Sequence, residues 1–548
     1  MTTFDQVNED QLNALLDLAP EVGTALGLVE RDDQWPDPSD AAVQQSHATL
    51  REWSKALSRL PEVDLNPDQR LDRRVFQAHL ELVEFTDQEL NSRRHDPDLL
   101  TRAGWTLFQQ LRSTFVPAEQ RFSNLAARLN GLGEYLTRGR AAVTDPDALW
   151  LEVAKEVAAA TPGLFSAVKA SAREEDIPAT LRDEVDAAAA RAGQAVADHT
   201  LWLQGLSPSA KPRWVLGPER FAELCRRRML GRTPEELLEF GEKYVLEYQA
   251  ERRRFGRRIM REDPVKGALK KLRSDCPRTF PEALDRVREA VSAARSFVQA
   301  NDLCPLPGRE LLLVDETPAP FRPLVPFAAL QCAPKFAPEQ TSIYMVTPPV
   351  AGASLEDFYQ ADLENTAVHE GYPGHHLQLS IANLHTGLLR DGVPLGFFAD
   401  QSAGWAVETV EGWAHYAEEM LREAGFRDSD AAHMQIAHDA LWRAHRVVID
   451  VGLATGNMTV EQAVARLVED IGMPRAAALA EVRRYTRTPG YALCYLLGKH
   501  LMFELRQRAR VLWRSDFTLR RFHQLVLTTG NVPMHFIANQ LELGGYTE

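Results

Sequence analysis

The residues best placed to do chemistry lie in the stretch VHEGYPGHHLQ, Val368 to Gln378, which sets His369, Glu370, His375 and His376 close together in the chain. In an HExxH zinc site, two imidazoles four residues apart share one helix face, and the Glu beside the first activates the water at the metal. That spacing is broken here: Pro373 stands four residues after His369, and the candidate second ligands come six and seven residues after it. On a straight helix those offsets mean a rise of about 9 to 10.5 Å. One ion with ligand bonds of about 2.0 to 2.1 Å cannot bridge such a span. Pro373, however, has no amide hydrogen, and its ring clashes with the carbonyl four residues back, which is that of His369. Gly374 permits backbone angles closed to other residues. The stretch therefore reads as a helix carrying His369 and Glu370 that breaks at Pro373 and folds His375 back onto the same metal, with His376 as the rival ligand. The alternative is a helix end whose histidines are favoured near its C-terminus by the dipole.

A third protein ligand should be a carboxylate from a following helix, and VEGWAHYAEEM (410–420) offers Glu411, with Glu408 a turn before it and His415 a turn after it. Glu408 and Glu418 are alternatives, since three and seven residues along a helix roughly preserve its face. The flanking Trp405, Trp413 and Tyr416 suggest partial burial, where a metal would remove the cost of an unpaired carboxylate. Asn365, one turn before His369, is a candidate to hold that ring's other nitrogen.

HEGYPGHHLQ resembles the signature of the DUF885 family, placed with the gluzincin-like metallopeptidases. VEGWAHYAEEM, RAHRVVIDVGL (443–453) and RYTRTPGYALCYLLG (484–498) resemble that family's downstream blocks, in its order. The resemblance implies a mainly α, zincin-like helical metallopeptidase with a small β element beside the metal helix and a central cleft. It implies Glu411 as the third ligand, and His375, directly after the PG pair, in preference to His376. Arg484, Tyr485, Tyr491 and Tyr495 would line the cleft, with Tyr485 and Tyr495 at the family's tyrosine positions and Tyr491 where Gln is common. Arg446 and Asp450 match an RLVVD-like block, in which the Arg could receive a substrate carboxylate and the Asp orient it; a structural ion pair is the plainer alternative. Other departures surround the metal set: Ala454 follows Leu453 where the family often has His, Met458 replaces a common Trp, and His415 stands where Leu is usual.

Two neutral imidazoles and a carboxylate leave zinc, one ion per chain, an open position for water and substrate. Glu370 would take the water's proton and pass it to the leaving amine, and a tyrosine or arginine of the 484–498 block would face the developing oxyanion. The expected function is a zinc-dependent peptidase acting on short peptides. A hydrolase of a specialised non-peptide amide and a non-catalytic helical binding protein with a residual metal site are the alternatives; Glu370 argues against the latter. His415 would orient Glu411 or meet substrate, unless it turns to solvent or to Glu419.

The surrounding chain agrees with a soluble enzyme. Its 548 residues, 45% hydrophobic, can bury a large core. A formal charge of −15 argues against a nucleic-acid groove. The basic runs near Arg226 to Met229 and Arg252 to Arg258 read as solvated helix faces. Five cysteines without a CxxC pair indicate neither a disulfide framework nor a thiolate site. With acids where a signal peptide needs bases and no long apolar run, a cytoplasmic protein free of membrane contact is expected.

The elements that must hold the site are mostly helices. Amphipathic patterns predict them at 41–60, 68–90, 99–115, 119–135, 148–160 and 181–203. The Pro- and Ser-punctuated stretch 206–218 suggests a boundary between an N-terminal helical half, 1–205, and a metal-binding half, 206–548. Thr233, Pro234 and Glu236 form a capping box starting a helix through Tyr248, and another begins near Pro281. Between Pro305 and Pro349 the helical period disappears; Leu311–Val314 and Ser342–Val346 read as strands. In gluzincin-like enzymes a strand beside the metal helix pairs with extended substrate, which would make Ser342–Val346, with Tyr344, a substrate-binding edge; a small structural hairpin is the alternative. Ser354, with Asp357, is expected to cap the helix that delivers His369.

Overall fold

The computed structural model describes residues 3–318, 322, 325, 327–349, 353–391 and 404–542. Helices form where the sequence supplies an apolar stripe and a starter. Asn66 and Gln69 make a reciprocal capping box at the head of Pro67–Phe85, and Thr233 and Glu236 do the same for Pro234–Ile259. The first of these helices ends five residues before the predicted limit, passing into a single wide turn at Thr86–Leu90 closed by Asn91 at φ +44°. Phe4–Leu18, Pro20–Leu26 and Pro162–Glu174 are helices the periodicity did not single out. The last two carry Pro in their first turn, and Pro20–Leu26 is only 7 residues long.

The described residues are mainly helical, with a small three-stranded sheet. Strands β1 (Glu310–Glu316), β2 (Ala328–Gln331) and β3 (Gln340–Val346) lie in the order β1, β3, β2. β1 pairs parallel to β3 and β2 antiparallel to it, with Tyr344 opposite both Val314 and Leu330. This corrects the expectation for Ser342–Val346: as the central strand, it has both hydrogen-bonding edges occupied and offers none to a peptide. The four-residue β2, hidden in a proline-rich stretch, was too short to give a period of its own.

Three large apolar cores cross residue 205. Leu71 and Val75 pack in one core with Val368 and Leu377; Leu82, Phe85 and Trp150 share a second with Val447 and Leu497; the third joins Phe108 and Phe122 to Ile343 and Met345 of β3. The punctuated 206–218 stretch is itself tied down, with the amides of Leu216 and Gly217 donating to the Ala454 carbonyl at 2.9 and 3.0 Å.

Both basic runs need correction. Arg226 is solvated, but Arg228 is buried, donating to the Gly490 carbonyl and, at 3.0 Å, to the Cys494 sulfur. Arg252 is also buried and donates to the Asp470 carbonyl at 3.0 Å. A run of one charge conceals its buried member because helical periodicity turns only some of its residues outward. Ser354 likewise does not cap the His369 helix: its hydroxyl oxygen accepts from the Glu356 amide at 3.1 Å, at the entrance to a short 3₁₀ turn, Glu356–Phe358, while that helix starts at Gln360 after Tyr359 with no side-chain cap.

Candidate metal centre

The helix Gln360–Glu370 stops at Gly371, and a second begins at His375. Between them the chain doubles back so tightly that a Cβ on Gly374 would lie 1.9 Å from the His369 carbonyl oxygen. Only glycine fits there. Trp413, from the helix Val407–Glu423, fixes the turn by donating its indole N–H to the Pro373 carbonyl at 2.8 Å.

The consequence is that the two rings meet edge to face with centroids 4.7 Å apart, despite the six-residue offset. Glu411 closes the group: its Oε2 lies 3.2 Å from His375 Nε2 and 3.6 Å from His369 Nε2. One donor atom from each of the three side chains falls within 4.8 Å of the others, and all three residues are buried. The donor set fits zinc: two imidazole nitrogens and one carboxylate oxygen converge, and the far nitrogen of His369 is independently held. Burial opposes ionisation of Glu411, but the hydrogen bonds from His369 and His375 outweigh it and hold its carboxyl well below the usual range.

Glu418 holds that far nitrogen. His369 Nδ1 lies 2.7 Å from its Oε1, which also accepts from Arg443 at 3.0 Å. Burial would raise this carboxyl, yet Arg443 and His369 bring it to about 2. Asn365, expected on the His369 ring, instead donates to Glu418 at 2.9 Å and to Asp439 at 2.8 Å. A sequence reading that weighed Glu418 only as a ligand missed this role, although seven-residue spacing from Glu411 already placed both carboxylates on one helix face. Glu418→Gln should weaken zinc binding about 10-fold or more, measured by chelator competition, because the amide cannot match the charged acceptor.

The rivals point elsewhere. His376 is buried with Nε2 3.1 Å from the Tyr372 hydroxyl, and burial brings it to about 3. Glu408 accepts from the Met534 amide at 3.2 Å and faces Arg228. Glu370 is half-buried at the end of the His369 helix, where its charge bears on both His369 and Tyr344. Tyr344 itself is buried, and burial followed by the Glu370 charge keeps its hydroxyl well above the usual range.

The 484–498 block divides. The Tyr491 hydroxyl donates to Glu411 Oε1 at 2.9 Å. Tyr495 is raised by burial and then by the Glu411 charge, which places it beside the same carboxylate. Tyr495, in the helix Cys494–Trp513, and Tyr491, in the turn just before it, are brought to Glu411 as that helix crosses Val407–Glu423 almost backbone to backbone; a Cβ on Gly498 would lie 1.9 Å from the Glu408 carbonyl oxygen. Tyr485, expected to serve the oxyanion, is committed instead: it donates to Glu481 at 2.6 Å and accepts from Arg446 Nε at 2.9 Å. Arg446 also pairs with Glu481 and is sandwiched between Trp442 and Tyr495, 4.1 and 4.5 Å from their ring centroids. Arg484 pairs with the same Glu481 at 2.9 Å. The structural ion pair, rather than a free substrate clamp, describes Arg446. Asp450 does not orient it, accepting instead from the Gly490 and Leu493 amides at 2.8 and 3.0 Å.

His415 is wholly buried, turned neither to solvent nor to Glu419, which pairs with Lys499. Its Nδ1 lies 3.3 Å from the Tyr495 carbonyl, an acceptor, so that nitrogen carries the proton. Burial, then Lys499 and Arg443, keep the ring neutral. It braces the Tyr495 segment rather than Glu411.

Two solved structures share this fold across essentially their whole length. One, described as a "putative lipoprotein of unknown function" from Shewanella oneidensis, is 20% identical with a TM-score of 0.77, covering 99% of this chain and 100% of its own. The other, a "putative lipoprotein" from Colwellia psychrerythraea, is 18% identical with a TM-score of 0.79, covering 99% of each chain. No curated protein matches. The family model for DUF885, bacterial proteins of unknown function, matches residues 20–541, and the chain belongs to that family.

Proposed function

We propose that the protein is a zinc-dependent hydrolase with a zincin-like site, most simply a peptidase cleaving short peptides. The observation that carries this reading is the convergence of His369, His375 and Glu411 with Glu370 adjacent in the chain and Glu418 bracing His369. When bound, zinc would polarise the scissile carbonyl and lower the pKa of the attacking water. Glu370 would accept that water's proton and deliver it to the departing amine. Tyr491 and Tyr495, which lie beside Glu411, would exchange that carboxylate for a developing oxyanion, whereas Tyr485 is held away from it by Glu481 and Arg446. Five free cysteines fit a reducing compartment, and no described helix is long and apolar enough to cross a membrane.

A specialised amide is the second substrate reading, favoured by Tyr491: where the family commonly carries Gln, a ring and hydroxyl fill the space against Glu411. A screen of short peptides and small amides, with and without chelator, tests both. Chelator-sensitive peptide cleavage is the expected result, and turnover indifferent to chelator would sink the metal reading. Glu411→Ala should lose most bound zinc by elemental analysis, since two imidazoles alone leave the coordination incomplete. Full occupancy in that variant would remove Glu411 from the ligand set.

A further inference from the structure

The hydrogen bonds that brace His369 continue beyond Glu418. Asn365 is buried in the helix Gln360–Glu370, and its amide turns one hydrogen to each of two carboxylates, at 2.9 Å to Glu418 Oε2 and 2.8 Å to Asp439 Oδ2. Asp439 belongs to the helix Asp430–Thr455, one turn before Arg443, which donates to Glu418 Oε1, the oxygen that meets His369. One helix face therefore presents an anion and a cation to the same brace. A further turn back, the buried Gln435 donates to Asp439 Oδ1 at 3.1 Å and to Asp362 Oδ1 at 2.9 Å, and it accepts from the Tyr359 hydroxyl. A continuous path of side-chain hydrogen bonds thus runs from His369 Nδ1 through Glu418, Asn365 and Asp439 to Gln435.

The charges along this path do not balance by themselves. Among the described residues, Arg443 is the one arginine or lysine hydrogen-bonded to Glu411, Glu418 or Asp439. Asp362 does not add to the count, because burial and then the Asp439 charge hold its carboxyl well above the usual range. Asp439 is half-buried; burial raises its carboxyl and Arg443 lowers it, which leaves it at about 6 and ionised above that pH. Three carboxylates therefore face one guanidinium. With a dication held by two neutral imidazoles and Glu411, that set comes to zero net charge. A clamp that only tied helices together would gain nothing from placing two like charges on a single amide, since they repel.

Resting on the metal reading of this site, we propose that Asn365 and Asp439 are positioning residues for zinc. Asn365 fixes Glu418 against His369; Asp439 holds Asn365 in that orientation and supplies the last negative charge that the dication answers.

The test uses the full-length protein, with zinc affinity measured by chelator competition at about pH 8, where Asp439 is ionised. Thermal unfolding of the metal-free protein is followed in parallel. Asp439→Asn keeps the shape and removes the charge, while Asn365→Leu keeps the volume and removes the bridge. Each should weaken zinc binding about 10-fold. The double variant should be little weaker than either single one, because both cut the same path. Metal-free Asp439→Asn should melt at or above the temperature of the metal-free parent, since it no longer sets a second charge beside Glu418. A structural clamp predicts the reverse, a lower melting temperature without metal and parental zinc affinity once folded. Parental affinity in the single variants, additive losses in the double variant, or metal-free Asp439→Asn melting below the parent overturns the proposal. If Asn365→Leu does not fold, Asp439→Asn decides alone through its two readouts. A parent that takes up no zinc overturns the metal reading itself, whereas a zinc-binding parent whose variants bind equally well overturns the positioning role alone.

Discussion

Glu370→Gln is expected to keep its zinc and lose about 10²- to 10⁴-fold in turnover, equivalent to about 3 to 5 kcal/mol at the transition state. The two side chains are nearly the same shape, so packing around the end of the His369 helix should hold. What changes is the ability to accept a proton. Glu370 is half-buried and is neither one of the three converging side chains nor the brace on His369, so the substitution isolates the proposed base from the proposed metal site. Elemental analysis and single-turnover hydrolysis, measured on the same preparation, distinguish the outcomes. A variant that holds zinc and still hydrolyses at the parent rate removes Glu370 from the reaction. One that loses zinc shows instead that Glu370 stabilises the ligand set.

How much of this site could be read in the sequence depended on whether the determinant was local. The turn at Pro373 and Gly374 was legible because proline and glycine act on their own backbone, and the fold brings His369 and His375 together there as the spacing required. Capping at Thr233 was legible for the same reason. Long-range pairings were not. The sequence could not say that Glu418, rather than Asn365, would reach the His369 ring, because that depends on the crossing of two helices whose meeting residues, His369 and Glu418, are 49 positions apart in the chain. Nor could it say that β3 would acquire a neighbour on each side, since β2 is four residues of no distinctive pattern. Arg446, Tyr485 and Asp450 illustrate the commonest error. Side chains that resemble functional blocks are available to substrate only if no internal partner claims them, and Glu481 and the Gly490 turn claim these.

The turn itself can be tested without touching any group that bears on chemistry. Gly374→Ala adds one methyl group, but that carbon would lie 1.9 Å from the His369 carbonyl oxygen and 2.3 Å from that of Val368. Both obstacles are backbone, in the helix end that carries His369, so neither can yield by rotating a side chain. The Gly374 amide also donates to the Val368 carbonyl at 3.1 Å, locking the same turn from within. Overpacking of this kind costs about 1 to 3 kcal/mol even where neighbours relax; here relief requires the two helices to separate, carrying His375 away from His369 and Glu411. The expected result is a folded, destabilised protein with most of its zinc lost, although every ligand residue is present. Gly193→Ala is the matched control, because its added carbon meets nothing within 4 Å in the helix Ala179–Gly205. It should keep all its zinc and gain up to about 1 kcal/mol in stability. Thermal unfolding and zinc stoichiometry of the two variants decide the matter. If Gly374→Ala binds zinc as the parent does, the tight reversal at Pro373 and Gly374 is not what assembles the metal centre.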